Sequence, residues 1–126
     1  MIVVDTDVLI EIFDKHSDFG EIALGRIRNS KEPFCTTAIN QHELLYGVIK
    51  YNKHYTEEIL EIPTLEYTKQ DAELSSRLEF DLESKGRKIA RLDTMIAAIS
   101  INNSAKLYTN NHKHFQDLQT FGLDLF

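Results

Sequence analysis

The sequence predicts a single-domain, three-layer α/β/α fold over residues 1–126, in which a central parallel sheet lies between two layers of helices. Short apolar segments typical of buried strands alternate with longer segments of helical spacing, as in parallel sheets covered on both faces. The 126 residues, 42% of them hydrophobic, suit one core, since a single domain commonly has about 100–150 residues. No internal repeat and no linker rich in Pro, Gly or Ser divides the chain.

The first predicted unit contains one strand and two helices. Ile2–Val4 is a continuous apolar run of the kind found in buried parallel strands, and a short acidic segment separates it from a helix over Val8–Phe13. Ser17 is placed to cap a second helix that runs to about Asn29. The residues of this second helix that we expect in the core are Ile22, Leu24 and Ile27.

The next two predicted units have the same order of strand and helix. Phe34–Thr37 is β-prone, and Ala38–Lys50 has helical spacing. Thr64–Thr68 alternates like a strand, and its last residue forms with Asp71 a capping pair for a helix that ends near Lys85. The expected core residues of these two helices are Leu44, Leu45, Val48, Ile49, Leu74, Leu78 and Leu82.

The last predicted unit begins with the most apolar helix of the chain. From Asp93 the sequence reads DTMIAAISI, which is apolar nearly all round and therefore indicates a helix buried on most sides. Lys106–Thr109 is predicted to be a strand, and the segment NNHKHF leads into a short final helix.

Composition restricts the class of protein. Twenty acidic and 14 basic residues give a formal charge of −6, which disfavours loose, charge-driven attachment to nucleic acid or anionic membranes. Cys35 is the only cysteine, so neither an intrachain disulfide nor a cysteine zinc cluster can form. No segment approaches the roughly 20 apolar residues of a membrane span. We therefore expect a soluble, cytoplasmic protein with no membrane partner.

Three acidic residues stand near the starts of helices in three separate units: Asp5, Glu43 and Asp93. Ligands of an open parallel sheet bind at the carboxyl ends of the strands, so these carboxylates can meet at one edge. Mg²⁺ and Mn²⁺ prefer oxygen ligands, and such ions can activate water for attack on a phosphate. The pattern therefore favours metal-dependent phosphoryl chemistry.

Each of these acids also has a purely structural interpretation. Asp5 or Asp93 could cap a helix, and Asp7 could favour a helix dipole in the first turn. Glu43 could be a solvated helix residue, with Gly47 one turn later serving close helix packing.

Four segments together resemble the PIN domain, and within that family the VapC-type toxins of toxin–antitoxin pairs. The segments are IVVDTDVLI, CTTAINQHELLYGV, GRKIARLDTMIAAIS and KLYTNNHKHF, in the order that the family has them. The resemblance implies a single PIN-like domain in which Asp5 and Asp93 ligate Mg²⁺ or Mn²⁺. It implies that Glu43 completes the acidic cluster by ligating the metal, holding a water or assisting its deprotonation. It also implies a metal-dependent ribonuclease that cuts structured RNA such as tRNA, a VapB-type antitoxin as partner, and a homodimer.

The chain departs from the family pattern at a fourth acid, which many relatives carry in the segment matched here by TNNHKHF. The candidates for that place are Asn111, which could orient a water or bind phosphate, and His114, which could ligate Mn²⁺ or contact RNA. We include Thr109 and Asp7 as supporting positions. Of the acids in VVDTDVLI, Asp5 is therefore the expected metal ligand and Asp7 the less important one.

Basic and aromatic residues near the acids are candidate RNA contacts. The basic candidates are Lys85, Arg87, Lys88, Arg91, His112, Lys113 and His114. Tyr46 and Tyr51 could stack on bases, although tyrosines at helical spacing are also common in cores and dimer contacts.

Two other functions fit parts of the sequence. DTDVLI resembles the first motif of haloacid-dehalogenase-type phosphatases, in which an aspartate attacks phosphate, but only one acid follows in ARLDTMI. A PIN-like module that binds RNA or protein without catalysis fits the missing fourth acid.

Overall fold

The computed structural model describes every residue from Met1 to Phe126. Its five strands form one sheet in the order β3-β2-β1-β4-β5, and all neighbouring strands are parallel. The strands are β1 (Ile2–Val4), β2 (Phe34–Thr37), β3 (Thr64–Leu65), β4 (Lys106–Tyr108) and β5 (Asp124–Leu125). The first strand of the chain is thus the central one, and its two neighbours are β2 and β4.

Helices connect the strands and cover both faces of the sheet. The α-helices are α1 (Thr6–Ile10), α2 (Asp18–Ser30), α3 (Ala38–Lys50), α4 (Thr56–Glu61), α5 (Lys69–Ser84), α6 (Arg91–Asn102) and α7 (His112–Phe115). A π-helical segment, Glu11–Lys15, follows α1, and a 3₁₀ segment, Gln116–Phe121, follows α7. No helix is long and apolar enough to cross a membrane.

Successive residues of β1 point to opposite faces of the sheet, and each face has its own core. Ile2 and Val4 lie in a cluster with buried residues of α1, α2, α3 and α4, whereas Val3 lies in a second cluster with buried residues of α5 and α6. The predicted three-layer α/β/α fold is therefore confirmed.

Capping side chains fix the starts of four helices, and the sequence predicts the caps of α2 and α5. Asp5, for which the sequence allows a capping role, accepts the Thr6 N–H at the start of α1. Ser17 accepts the Gly20 N–H at the start of α2, and Thr68 and Asp71 form a reciprocal capping box at the start of α5. Thr37 accepts the Asn40 N–H at the start of α3, and this cap was not predicted. These caps satisfy backbone donors that helix starts leave without partners.

Several element boundaries and core assignments differ from the prediction. The first helix ends at Ile10 because the chain continues as a π-helical segment, and β3 contains only Thr64–Leu65. Ile22 and Ile49 are 60% and 80% exposed, since they lie on the outer faces of α2 and α3. The elements that were not predicted are α4, the 3₁₀ segment and β5.

Candidate active site at the carboxyl edge of the sheet

Asp5 directly follows the central strand, and three elements hold its carboxylate. Its Oδ1 accepts the Thr6 N–H and the side-chain N–H of Asn40, both at 2.8 Å. Its Oδ2 accepts the Thr109 hydroxyl at 2.7 Å. Only 6% of the residue is exposed. The helix-cap interpretation is thus correct for Oδ1, and Oδ2 keeps one lone pair free, since each carboxylate oxygen can accept about two hydrogen bonds.

Asn40 and Thr6 connect Asp5 with Glu43. The Asn40 side chain donates to the Thr6 hydroxyl oxygen at 2.9 Å, and that hydroxyl donates to Oε1 of Glu43 at 2.8 Å. The sequence prediction missed both residues. The sequence does contain a signal for Asn40, because it is a polar residue about one helical turn before Glu43 and therefore on a similar face of the helix. In the structure it faces the sheet and is completely buried.

Asp93 lies in the first turn of α6, which begins at Arg91 with Ala90 as its cap residue. The interpretation of Asp93 as a helix cap is therefore wrong. His114, in α7, lies with Nδ1 3.4 Å from Oδ2 of Asp93. The structure thus brings Asp93 together with one of the two candidates for the missing fourth acid.

Burial and mutual repulsion make ionisation of the three acids costly. Burial raises the pKa of Asp5, against the lowering effect of its hydrogen bonds. Burial also raises the pKa of Glu43, and the charges of Asp5 and Asp93 raise it further. The pKa of Asp93 is raised by burial and by the charge of Asp5, while His114 lowers it. The three carboxylates therefore lie close enough to interact through their charges.

Asp7 has a different environment. Its Oδ1 accepts the Val8 N–H at 2.7 Å, and its Oδ2 accepts the backbone N–H of Asn110 at 2.9 Å. Burial, followed by the charge of Asp5, raises the pKa of Asp7 to about 6. Both carboxylate oxygens of Asp7 thus accept backbone N–H groups. These two hydrogen bonds connect the start of α1 with the segment after β4.

The other supporting positions divide into one buried and one exposed residue. Thr109 is buried, donates to Asp5 and accepts the backbone N–H of Asn111 at 3.0 Å. Asn111 itself is exposed. A role of its side chain toward water or phosphate stays a prediction.

The donor set at this edge suits a hard cation that is held only partly by protein. Carboxylate oxygens are the ligands that Mg²⁺ and Mn²⁺ prefer, and an added positive charge would relieve the repulsion among the acids. No group of three or more His, Cys, Asp or Glu side chains is arranged to hold a metal ion by itself. Mg²⁺ does not need one, because it commonly takes one or two carboxylates and fills its other positions with water and phosphate.

A basic cavity of about 120 Å³ opens beside Asp93. Arg87, Lys88, Lys113 and His114 line it. Of these, Arg87 is held in place by Asp117, at 3.0 and 3.2 Å. Two of the predicted RNA contacts are used elsewhere in the structure. Arg91 binds Glu79, and Lys85 lies over the ring of Phe121.

Tyr46 and Tyr51 are not core residues. They are 58% and 65% exposed, at the end of α3 that points away from the sheet edge. The ammonium group of Lys50 lies over both rings, 5.7 Å and 5.4 Å from their centroids.

Comparison with known proteins gives the same fold. The chain is 31% identical to ribonuclease VapC1 of Methanocaldococcus jannaschii over 132 aligned residues, which cover 99% of this chain and 86% of the relative. A chain in the crystal structure of VapBC2 from Rickettsia felis, bound to a DNA fragment from their promoter, has a TM-score of 0.82 and 26% identity, with coverage of 100% and 98%.

A second solved structure agrees in fold. A chain of FitAcB from Neisseria gonorrhoeae has a TM-score of 0.82 at 21% identity and covers 100% of this chain and 96% of its own. The profile of the PIN domain family matches residues 2–119, which include all three acids and the segment after β4. The chain belongs to the PIN domain family and, within it, to the VapC group.

Proposed function

We propose that the chain is a metal-dependent endoribonuclease and the toxin component of a VapBC-type toxin–antitoxin system. The acidic centre carries this proposal, because Asp5, Glu43 and Asp93 come from three different elements and interact through their charges. The identity to ribonuclease VapC1 supports RNA as the substrate.

We propose Asp5 and Asp93 as ligands of one Mg²⁺ or Mn²⁺. When bound, the ion would acidify a water molecule and offset charge on the phosphate that is attacked. Thr6, Asn40 and Thr109 fix the orientation of the Asp5 carboxylate. Glu43 uses only Oε1 to accept the Thr6 hydroxyl, so its Oε2 is available to hold a water and take its proton.

Phosphates on either side of the cut would be held by lysines rather than arginines. Lys88 and Lys113 line the basic cavity beside Asp93, and neither forms a salt bridge with an acidic residue. Half or more of the hydrogen bonds in protein–nucleic acid interfaces go to the backbone, and lysine is a common partner for it. Local positive charge here offsets the net charge of −6.

The partners follow from the same assignment. The solved structures that resemble this chain include the VapBC complexes from Rickettsia felis and Salmonella typhimurium, which supports a VapB-type antitoxin as partner. We also propose a homodimer as the functional form.

The experiment that tests the function is cleavage of a structured RNA, such as tRNA, by the purified chain. We expect cleavage with Mn²⁺ or Mg²⁺ and none with EDTA. Asp5→Asn should lower the cleavage rate by about 100-fold or more, as expected when one member of a catalytic unit is removed. Asp7→Asn should lower it far less, because Asp7 holds backbone. Calorimetric titration with Mn²⁺ should show weaker binding by Asp5→Asn.

Three results would contradict this function. Equal losses from Asp5→Asn and Asp7→Asn, with hydrolysis of a small phosphomonoester and no RNA cleavage, would indicate the phosphatase alternative. RNA binding without cleavage under any divalent metal would indicate a binding module. Thermal unfolding of each variant serves as the control, since a variant that is not folded gives no information about the site.

A further inference from the structure

A second cavity, of about 190 Å³, has Glu43 in its lining and shares no lining residue with the basic cavity. Glu43 and Gly47 of α3 line it together with Tyr51, the cap residue directly after α3, at intervals of four residues. Asp14, Lys53 and Tyr55 line it from the segments around α1 and α4. We call this cavity the Gly47 groove. Because four helical residues rise about 6 Å, the groove extends about 12 Å along α3 from the acidic centre.

Gly47 has no structural reason to lack a side chain. A Cβ built at this position would meet no atom within 4 Å, and the backbone has no left-handed φ there. The interpretation that Gly47 serves close helix packing is therefore wrong. Glycine inside a helix stabilises the folded chain less than alanine does. What the glycine preserves is open space next to Glu43.

The lining combines aromatic rings with one polar pair. The ring of Tyr55 stacks against Phe13, with 6.2 Å between centroids and 17° between planes, so its position is fixed. Tyr51 is largely exposed at the far end of the groove. Lys53 and Asp14 form an ion pair at 3.1 Å and offer hydrogen-bond donors and acceptors.

Aromatic faces and a few polar groups are the means by which proteins bind unpaired nucleobases. We propose that the Gly47 groove binds an unpaired nucleobase of the RNA whose phosphodiester lies at Asp5 and Asp93; this rests on the proposed ribonuclease function. Glu43 belongs to both the acidic centre and the groove, so an RNA strand held at the centre passes the mouth of the groove. The groove is therefore a subsite that favours single-stranded over paired RNA beside the cut.

The test uses Gly47→Leu, which fills the groove and raises helix propensity, so the thermal midpoint should not fall. Binding is measured by fluorescence anisotropy with a labelled single-stranded RNA, in an Asp5→Asn background that does not cleave. We expect Gly47→Leu to weaken binding by about tenfold or more, in line with the loss of one stacked base. The Asp5→Asn protein should bind a base-free ribose phosphate oligomer of equal length with the same affinity whether or not it also carries Gly47→Leu.

Tyr51→Ala should also weaken binding of the single-stranded RNA, by severalfold. Its matched control is Tyr46→Ala, which removes a similarly exposed tyrosine from the same helix and from the same lysine but lies outside the groove. Tyr46→Ala should leave binding unchanged. In the cleaving chain, Gly47→Leu should raise KM and change kcat little.

Unchanged RNA affinity and KM in Gly47→Leu would overturn the proposal while leaving the ribonuclease function intact. If Gly47→Leu weakened binding of the base-free oligomer as much as binding of the RNA, the proposal would also be overturned, because the groove would then bind the sugar–phosphate backbone. If Gly47→Leu binds RNA normally but no longer binds an apolar peptide segment of a protein partner, the occupant is protein and the proposal is wrong. Absence of cleavage by the unsubstituted chain contradicts the proposed function separately.

Discussion

Asn40 uses every polar atom of its side chain inside the protein. Its N–H groups donate to Asp5 and to Thr6, and its Oδ1 accepts the hydroxyl of Thr37. No solvent reaches the residue. A carboxylate that must keep one orientation in a buried place needs such donors, because water cannot supply them.

Asn40→Ala should lower the free energy of unfolding by about 1–3 kcal/mol, because it leaves the Thr37 hydroxyl and Oδ1 of Asp5 short of a partner in a buried place. Urea unfolding followed by circular dichroism measures the change. Asn111→Ala, an exposed asparagine near the same site, is the control and should change stability by less than about 0.5 kcal/mol. Equal effects of the two substitutions would show that the Asn40 bonds contribute little.

At this scale the sequence predicted the acids better than the residues that orient them. Asp5, Glu43 and Asp93 were visible because each stands near a helix start in a separate strand–helix unit. Asn40 and Thr6 have importance only through contacts with each other and with Asp5, and Asn40 contacts Asp5 from 35 positions away. Without knowledge of how β1 and β2 align, no local pattern gives that contact.

The junction between α1 and α2 brings two stretches of backbone into close contact. The π-helical segment Glu11–Lys15 is followed by His16 in a left-handed conformation, with φ of 45°. The Ser17 hydroxyl donates to Oε2 of Glu11 at 2.6 Å and accepts the Gly20 N–H. A Cβ on Gly20 would lie 2.4 Å from the backbone oxygen of Glu11. The start of α2 therefore touches the preceding turn directly.

Gly20→Ala should lower the free energy of unfolding by about 1–3 kcal/mol, since backbone must move to admit the methyl group. The matched control is Gly25→Ala in the same helix, where a Cβ meets no atom within 4 Å. That control should raise stability by about 0.5–1 kcal/mol through helix propensity. Urea unfolding of both variants gives the sign of the change in the free energy of unfolding. An increase in that free energy for Gly20→Ala would contradict the contact.

The elements that the sequence missed are short and depend on their neighbours. β5 has two residues, and it is a strand because it pairs with Lys106 and Leu107 of β4. β3 ends after Leu65 because its partner β2 ends at Thr37. The long helices α2, α3, α5 and α6 were predicted because their apolar spacing is a local property, as are the caps of α2 and α5.

Across the molecule as a whole, the acidic residues with raised pKa values that are buried or half-buried gather at the carboxyl edge of the sheet. Asp5, Asp7, Glu43 and Asp93 all have pKa values above the ordinary range, with burial as the largest cause. A raised pKa in the folded chain means that folding favours the protonated acid. The stability that this contributes is fully present below the unfolded pKa and is lost as pH rises through the folded pKa.

For Asp7 the window runs from its ordinary pKa near 3.8 to about 6. In the presence of a chelator, the free energy of unfolding should therefore fall as pH rises from about 4 to 6. Asp7→Asn carries no titrating group and should reduce this slope, in addition to a constant offset from the lost Asn110 bond. Urea unfolding across this pH range measures the slope. Asp81→Asn, on α5, is the control and should leave it unchanged.

The place of β1 in the sheet has a consequence for how the chain folds during its synthesis. β1 is the first strand to be synthesised, yet it lies between two strands that are made later. The hydroxyl that fixes Oδ2 of Asp5 comes from Thr109, 104 positions further along. Contacts of such separation form late, because the intervening chain must be ordered first. A nascent chain that ends before Thr109 therefore holds the Asp5 carboxylate with one donor fewer, so this edge of the sheet takes its final geometry only after Thr109 has been synthesised.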